Sequence, residues 1–355
     1  MPLPTIALVG AIYIDTILTV PYYPSEDDKL RATTQHIRRG GNVGNSAEVL
    51  AQLHKSPPSV VAPISTQNPG DYPMIRESLP GVELWGIDRK DTETPRSYII
   101  RSKETGSRTI VSLNNMGELQ LDEFVRVAEE KGEGVMWWHF EGRNNPEGLY
   151  EILSWLRRAK GRDVVISLEC EKPERRGLHA CKALADVLFY SKTWAVFYMK
   201  EWRAAGAKIG GWSGNCKAQQ LGAFLDLEAA EVRKLKSECT KYLFGTFSEG
   251  GSAVYNLKGS DEEEQKHHVP EVWTPDGGVV VDTIGAGDVF IAAVIAGMLE
   301  RSKDDLTVPW EQLQDVLRNA NKIAGAKVCQ EGFAELLKKC EEGYWTTWYR
   351  DEGEF

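Results

Sequence analysis

Residues 4 to 10 (PTIALVG) form a continuous apolar run closed by Gly10, the pattern of a buried strand. Ile12, Ile14, Ile17, Leu18 and Val20 follow in partly alternating order and predict further extended chain. Pro21, Pro24 and the acidic Glu26, Asp27 and Asp28 then mark an exposed connection. Gly40 and Gly41 break the chain, and Ala47, Val49, Leu50 and Leu53 lay a helical stripe over residues 45 to 53. Residues 96 to 113 read as two β-rich arms around Glu104-Thr105-Gly106-Ser107, which predicts a hairpin.

From there strand and helix patterns alternate. Strands are expected at Gly134 to Phe140, Asp163 to Leu168, Val187 to Tyr190, Lys241 to Phe247 and Ala253 to Leu257. Helices are expected at Leu121 to Lys131, Pro146 to Ala159, Arg175 to Ala185, Ala218 to Leu225 and Glu228 to Glu238, with two closing helices at 288 to 300 and 310 to 329. Such βαβα order argues an α/β fold: a mainly parallel sheet with helices on both faces. The chain, 355 residues, reads as one domain. Trp137 and Trp138 are expected to pack in the core.

The formal charge of −10 excludes classes of partner. An acidic surface repels nucleic-acid phosphates and anionic lipid, so neither is expected, and an anionic ligand requires a local positive site. No run approaches the roughly 18 apolar residues of a membrane span. The six cysteines (170, 181, 216, 239, 329, 340) show no C-x-x-C or metal-ligand spacing and are expected to be reduced thiols. With no basic segment at the start, a cytoplasmic location is the expectation. The stretch 259 to 268 (GSDEEEQKHH) reads as a solvated loop, with a metal role for His267 and His268 as the weaker alternative.

The chemistry concentrates in residues 279 to 290, VVVDTIGAGDVF. A β-branched run, expected as a strand, leads into Gly285-Ala286-Gly287 and then a helical pattern. Two glycines let backbone N–H groups approach a ligand closely, and a helix start adds unpaired donors and the positive end of the macrodipole. Together they suit a phosphate. Asp288 lies in the first helical turn, where the dipole favours an ionised carboxylate able to take a proton from a hydroxyl. Asp282 is placed to orient Thr283 or assist a metal. An ordinary strand–turn–helix with a capping aspartate is the bland alternative; phosphoryl transfer needs anion donors and a base side by side, which this segment supplies.

DTIGAGD (282 to 288) and RGGNVGNSA (39 to 47) resemble the C-terminal and N-terminal signatures of the ribokinase-like (pfkB) carbohydrate kinases. GSRTI (106 to 110), HFEGRN (139 to 144), SLECEKPE (167 to 174), YSK (190 to 192), SEGG (248 to 251) and the AG-x-K pattern at 324 to 327 narrow the resemblance to the fructose-phosphorylating branch. It covers roughly Ile6 to Phe333, leaving 334 to 355, with its aromatic and acidic end, as an extension of no assigned role. The resemblance implies a Rossmann-like sheet with a small β-sheet lid, from segments about 12 to 39 and 96 to 114. It implies transfer of the γ-phosphoryl of ATP, with Mg2+, to a sugar hydroxymethyl group. Asp288 matches the general base; Gly285, Ala286 and Gly287 the anion hole; Asp15, Gly41, Asn42 and Asn45 the sugar-binding positions. Capping by Asn42 and a surface Asp15 are the structural alternatives. Arg108 would project from the lid toward the phosphates. Lys192, Glu249, Gly251, Thr283 and the segment Val328 to Phe333, Cys329 included, would surround the nucleotide.

The chain also departs from the family. Where many members carry Asn-x-x-Glu to organise magnesium, it has Ser191-Lys192-Thr193-Trp194-Ala195. Glu169 and Glu171 become the candidate metal ligands, with ATP oxygens and waters, and Lys172 or Lys192 candidate positive charges. GFAELL in place of a glycine-rich ending puts monovalent-cation activation in question. A different sugar, a sugar acid or a nucleoside remains open as acceptor, as does a silent sugar-binding regulator. There is no G-x-x-x-x-G-K-[ST], no H-R-D or D-F-G, and no G-x-G-x-x-G after the first strand. A lid with an apolar face (Ile12, Ile14, Ile17, Leu18, Ile99, Ile110) is expected to pair with a second copy in a homodimer. The resemblance further implies that an acidic lid residue approaches the partner's sugar, and Asp27 or Asp28 matches it.

Overall fold

The computed structural model describes residues 5–175, 177–206, 217–259, 265–269, 278–302 and 306–341. Its spine is a 9-stranded sheet. In chain order its strands are β1 (Thr5–Val9), β4 (Ser59–Ile64), β5 (Glu83–Asp88), β8 (Val135–Glu141), β9 (Val165–Cys170), β10 (Val187–Tyr190), β11 (Tyr242–Thr246), β12 (Ser252–Asn256) and β13 (Lys266–Val269). They lie in the order β13-β12-β11-β10-β9-β8-β1-β4-β5. All pairings from β11 to β5 are parallel; β12 and β13 add an antiparallel edge.

Strand pleating sends alternate residues into two separate cores. On β1, Ile6 and Leu8 pack with one face, Ala7 and Val9 with the other. The first face is covered by α1 (Asn42–Leu53), α8 (Ala286–Arg301), α9 (Trp310–Val328) and α10 (Leu336–Glu341). The second carries α3 (Leu121–Lys131), α4 (Pro146–Lys160), α5 (Leu178–Lys182), α6 (Lys192–Ala204) and α7 (Lys217–Lys234). Helix α8 is buried on all sides from Asp288 to Met298, as its nearly unbroken apolar sequence requires. Trp137 and Trp138 are fully buried on opposite faces of mid-β8. Strands β4 and β5 and helices α2 (Asp71–Glu77) and α6 are additions to the sequence-based element list.

The second sheet has four strands: β3 (Thr34–Gly40), β2 (Tyr13–Val20), β6 (Arg96–Ser102) and β7 (Arg108–Leu113), in that order. The expected hairpin is β6–β7, and the lid segments 12 to 39 and 96 to 114 are the ones that build this sheet. Its inner face carries the row Arg38, Asp15, Ser97, Ser112 and the row His36, Ile17, Ile99, Ile110; its outer face carries Ile37, Thr16, Tyr98, Val111.

Four expectations are corrected. Residues 279 to 283 form no strand: the N–H groups of Val281 and Asp282 donate to Val328 O instead of a sheet neighbour. The helices expected at 218 to 225 and 228 to 238 are one, α7, because Leu221, Phe224, Leu225, Ala229 and Val232 continue a single buried stripe across 226 and 227. His267 and His268 sit in β13, and among the described residues no group of three or more metal-ligating side chains converges. Finally, Ile12, Ile14, Ile17 and Ile99 are already buried within the chain; of the expected apolar face Ile110 stays exposed, on the inner side, while the exposed Ile37, Tyr98 and Val111 lie on the outer lid face. The tail from Tyr344 lies outside the described residues. Cys170, Cys181, Cys239 and Cys329 are free thiols, and no described helix is long and apolar enough to cross a membrane.

Candidate active site

The polypeptide runs outward from β1 in two directions, to β4 and β5 on one side and to β8 through β11 on the other. The carboxyl ends of the strands at such a switch point form a crevice. Here that crevice is roofed by the inner face of the lid, giving a cleft of about 1220 Å³. Gly10, Glu141, Glu169 and Tyr190 stand at or beside the ends of β1, β8, β9 and β10.

Asp288 is 6% exposed, in the first turn of α8. Gly285 precedes the helix at φ +79, a conformation open to glycine, with the Phe333 ring packed where a Cβ would stand. Val289 N makes the first intrahelical bond, to Gly285 O, so the N–H groups of Ala286, Gly287 and Asp288 have no acceptor in the helix. Nothing lies within 4 Å of a Cβ built on Gly287, so no side chain packs against that position. Gly285, Ala286, Gly287 and Asp288 all line the cleft. A helix start of this kind suits an anion, and it has a carboxylate in its own first turn.

Asn45 Nδ2 donates to Asp288 Oδ2 at 2.7 Å, and Ser46 Oγ donates to Asp288 O at 3.0 Å. The sequence pointed to an ionised Asp288; the structure places its proton affinity higher, at about 7. Burial is the main cause, and Glu171 and Glu141 add repulsion that the Asn45 hydrogen bond and Arg39 only partly oppose. A carboxyl group poised near neutrality is suited to taking a proton in water-limited surroundings.

Asp15 is 7% exposed, in the inner lid row beside Ser97. Burial raises its pKa against the pull of Arg38. Asn42 does not cap its helix: Gly41, at φ +98 and against Ala11 O, holds the N-cap position, which frees the Asn42 side chain. Asn42 Nδ2 donates to both Glu169 oxygens (3.3 and 3.2 Å) and to Glu171 Oε2 at 3.3 Å. Glu169 is pushed well above the usual carboxylate range by burial and by Glu171, Asp288 and Glu141. Glu169 and Glu171 alone are too few to enclose a hard divalent cation, which would need phosphate oxygens and water beside them.

Three lid arginines reach down onto the loop before α8. Arg38 pairs with Asp282 at 3.2 Å, Arg101 Nη2 donates to Val281 O at 2.6 Å, and Arg108 donates to Thr283 Oγ1. Arg108 thus stands at the mouth of the helix start. Lys327, fully buried on α9, donates to Asp282 O and Oδ2, both at 2.9 Å; Lys327 and Arg38 hold the Asp282 carboxyl below its usual range despite burial. Asp282 also accepts from Ile284 N at 2.9 Å. Away from the lid root the cleft is lined by Lys192, Thr246, Ser248, Gly251 (φ +81), Val280 and Val328. Cys329 is not among the lining residues; its neighbour Val328 is. The Glu249 side chain lies outside the described parts.

Sequence reasoning brought together Asp15, Gly41, Asn42, Asn45, Arg108, Glu169, Glu171, Lys192, Gly251, Thr283, Gly285, Ala286, Gly287 and Asp288 around one cleft. It missed Arg38, Glu48 and Arg101, which carry no motif of their own, and gave no role to Arg39, the first residue of RGGNVGNSA. Lys327 was visible only as the last residue of AG-x-K.

Residues 4–340 match the pfkB family carbohydrate kinases. The chain is 27% identical over 341 residues to ketohexokinase of Mus musculus, covering 94% of this chain and 98% of that one. It superposes on ribokinase from Giardia lamblia with a TM-score of 0.74 at 16% identity, covering 96% and 100% of the two chains. Ribokinase of Arabidopsis thaliana, solved with ribose and ATP, gives 0.67 at 18% identity over 95% and 98%. These matches carry the fold along nearly the whole chain, and the family match carries the chemistry: the chain belongs to the pfkB family of carbohydrate kinases and is an ATP-dependent sugar kinase.

Proposed function

We propose that this sugar kinase phosphorylates the hydroxymethyl group of a ketose such as fructose. The observation that carries the reaction is Asp288, a buried carboxyl group of raised proton affinity set beside the N–H donors of Ala286 and Gly287. In this reading the sugar lies between the lid root and the helix start, held by Asp15, Asn42 and Gly41. Asp288 takes the proton of the attacking hydroxyl, and the γ-phosphoryl rests on the α8 N-terminus, where aligned N–H groups stabilise its developing charge. Arg108, beside Thr283, is within reach of the phosphates. The adenine lies against Val280 and Val328, whose apolar surface faces the cleft. Magnesium would be held by Glu169 and Glu171 with phosphate oxygens, and when bound would neutralise charge on the transferring group.

The ketose reading is favoured by the ketohexokinase match. A coupled ADP assay over ketoses, aldoses, sugar acids and nucleosides tests it. The expected outcome is a ketose with the highest kcat/KM. A nucleoside or aldose ahead of every ketose overturns the acceptor, and ligand-induced melting shifts without turnover on any acceptor would make the protein a binding module.

The chain is further proposed to work as a cytoplasmic homodimer through the lid. The argument is the outer lid face: Ile37, Tyr98 and Val111 are 56%, 45% and 62% exposed in one cross-strand row, an apolar strip of the kind a two-fold contact covers. Asp27 and Asp28 lie on the exposed connection between β2 and β3, and in this reading one of them would approach the partner's sugar.

A further inference from the structure

Asn45 is gripped at both ends of its amide. Its Nδ2 donates to Asp288, and its Oδ1 accepts from Arg39 Nη1 at 2.8 Å. Arg39, near the end of β3 and opposite Ile14, is 4% exposed and does not line the cleft. Its other arm, Nη2, donates to Glu48 Oε2 at 2.5 Å. The guanidinium lies against Gly44, where a Cβ would come within 2.6 Å of Nη1. Arg39, Asn45 and Glu48 therefore form one buried chain of contacts that ends on the Asp288 carboxyl.

The chemistry of that chain has a direction. A carboxamide has a donor end and an acceptor end of nearly the same shape. Beside a carboxylate only the donor end is attractive. A guanidinium has five donors and no acceptor, so it can bond only the oxygen end. Arg39 thus makes the two orientations of Asn45 unequal. Glu48 keeps Arg39 from turning away and offsets part of the cost of burying its charge.

We propose that Arg39 is a positioning residue for phosphoryl transfer: held by Glu48, it locks the Asn45 amide with its N–H toward Asp288 and so fixes the aim of the base. The inference rests on the reading of Asp288 as the base. The groups that act on Asp288 are Glu141 at the end of β8, Glu169 near the end of β9, Glu171 just beyond it, Lys327 on α9, Arg39 itself and the Asn45 amide. The three glutamates favour the protonated form; the Asn45 N–H and the two cations favour the ionised form. If the Asn45 amide is free to turn, the balance moves toward the protonated form and activity is lost at a higher pH.

The test compares pH profiles of kcat/KM for the native enzyme, for Arg39→Lys, which keeps the charge but cannot hold Glu48 and Asn45 together, and for Arg39→Gln combined with Glu48→Gln, which leaves no unpaired buried charge. Loss of one buried hydrogen bond predicts a fall in kcat of about tenfold in either variant, with the ATP KM within about twofold. The acid limb should move up by about half a pH unit or more. In an Asn45→Ala background the same changes should cost less than about twofold, because Arg39 acts through Asn45. Wild-type kcat with an unmoved acid limb in folded Arg39→Lys protein overturns the proposal. So does a full multiplicative loss in the Asn45→Ala background. Asp288→Asn separates this from the parent reading: an active Asp288→Asn enzyme removes the base itself, whereas an inactive one with additive Arg39 effects removes only the relay.

Discussion

The floor and the roof of the cleft are built in opposite ways. On the floor, Asp288, Asp282, Glu141, Glu169 and Lys327 are all buried, and each is tied to a named partner. On the roof, every residue of β7 is exposed, and the sheet rests on the floor through arginines at its ends. Charges that must be in place before the reaction begins are set in the dry, packed part, where they are strong and costly to move. The part that must let a sugar in is thin and held by contacts that solvent can replace. Asp15 is the exception that locates the boundary. It belongs to the lid, yet it is 7% exposed at the sheet's root, where Gly40 leaves no side chain in its way.

The comparison breaks first if the floor tolerates change. Asp288→Asn keeps the shape and removes the proton acceptor. We expect kcat to fall by at least about 10²-fold, with ATP binding by calorimetry largely kept. In the native enzyme kcat/KM should fall as pH drops, with a midpoint near 7, since the free enzyme's base must lose its proton to act and its proton affinity sits at about 7. A midpoint near 4, where an unperturbed aspartate titrates, would mean that burial does not govern Asp288.

Next is Lys327, whose ammonium is the buried cation under the loop of the anion site. Lys327→Met leaves the Asp282 carboxyl with Arg38 and the Ile284 N–H. Breaking such a pair should cost about 3 kcal/mol in denaturant unfolding, together with a lower kcat. A loss below about 0.5 kcal/mol would class the pair with solvent-screened surface bridges.

The lid should respond more gently and in a different quantity. Asp15→Ala removes the proposed partner of the sugar hydroxyls, and a lost hydrogen bond of this kind should raise the sugar KM about tenfold while the ATP KM stays within a few-fold. Equal effects on both substrates would make Asp15 structural. The smallest effect is expected on the outer lid face. Charged residues at Tyr98 and Val111 should yield monomers by light scattering and a poorer sugar KM, with stability nearly unchanged because both side chains are exposed in the single chain. A fully active native protein that is monomeric at micromolar concentration would reject the clasp.

Much of this was legible in order along the chain. Helix α3 was read to its observed ends because a buried stripe (Phe124, Val127, Ala128) and the Gln120–Glu123 capping box are local signals. Val187 to Tyr190 was equally plain as a short apolar run between polar ones. The run Val279 to Asp282 was misread because three valines look like a strand wherever they fall; whether a neighbour's backbone is free to pair with them is not a local property. The pairing of Asn45 with Asp288, 243 residues away, was read correctly only as membership of one cleft, not as a hydrogen bond.

The sequence by itself determined the kinds of chemistry present: a glycine-relieved helix start, a carboxylate in its first turn, amides at a second helix start, and enough period-two and period-3.6 pattern to build two cores. These follow from backbone sterics and burial, which act over a few residues. Tertiary structure decided the proton affinity of Asp288, which way Asn45 faces, and which lid residues are inside. Those depend on what distant segments place within a few ångströms, in surroundings dry enough for each charge to feel the next.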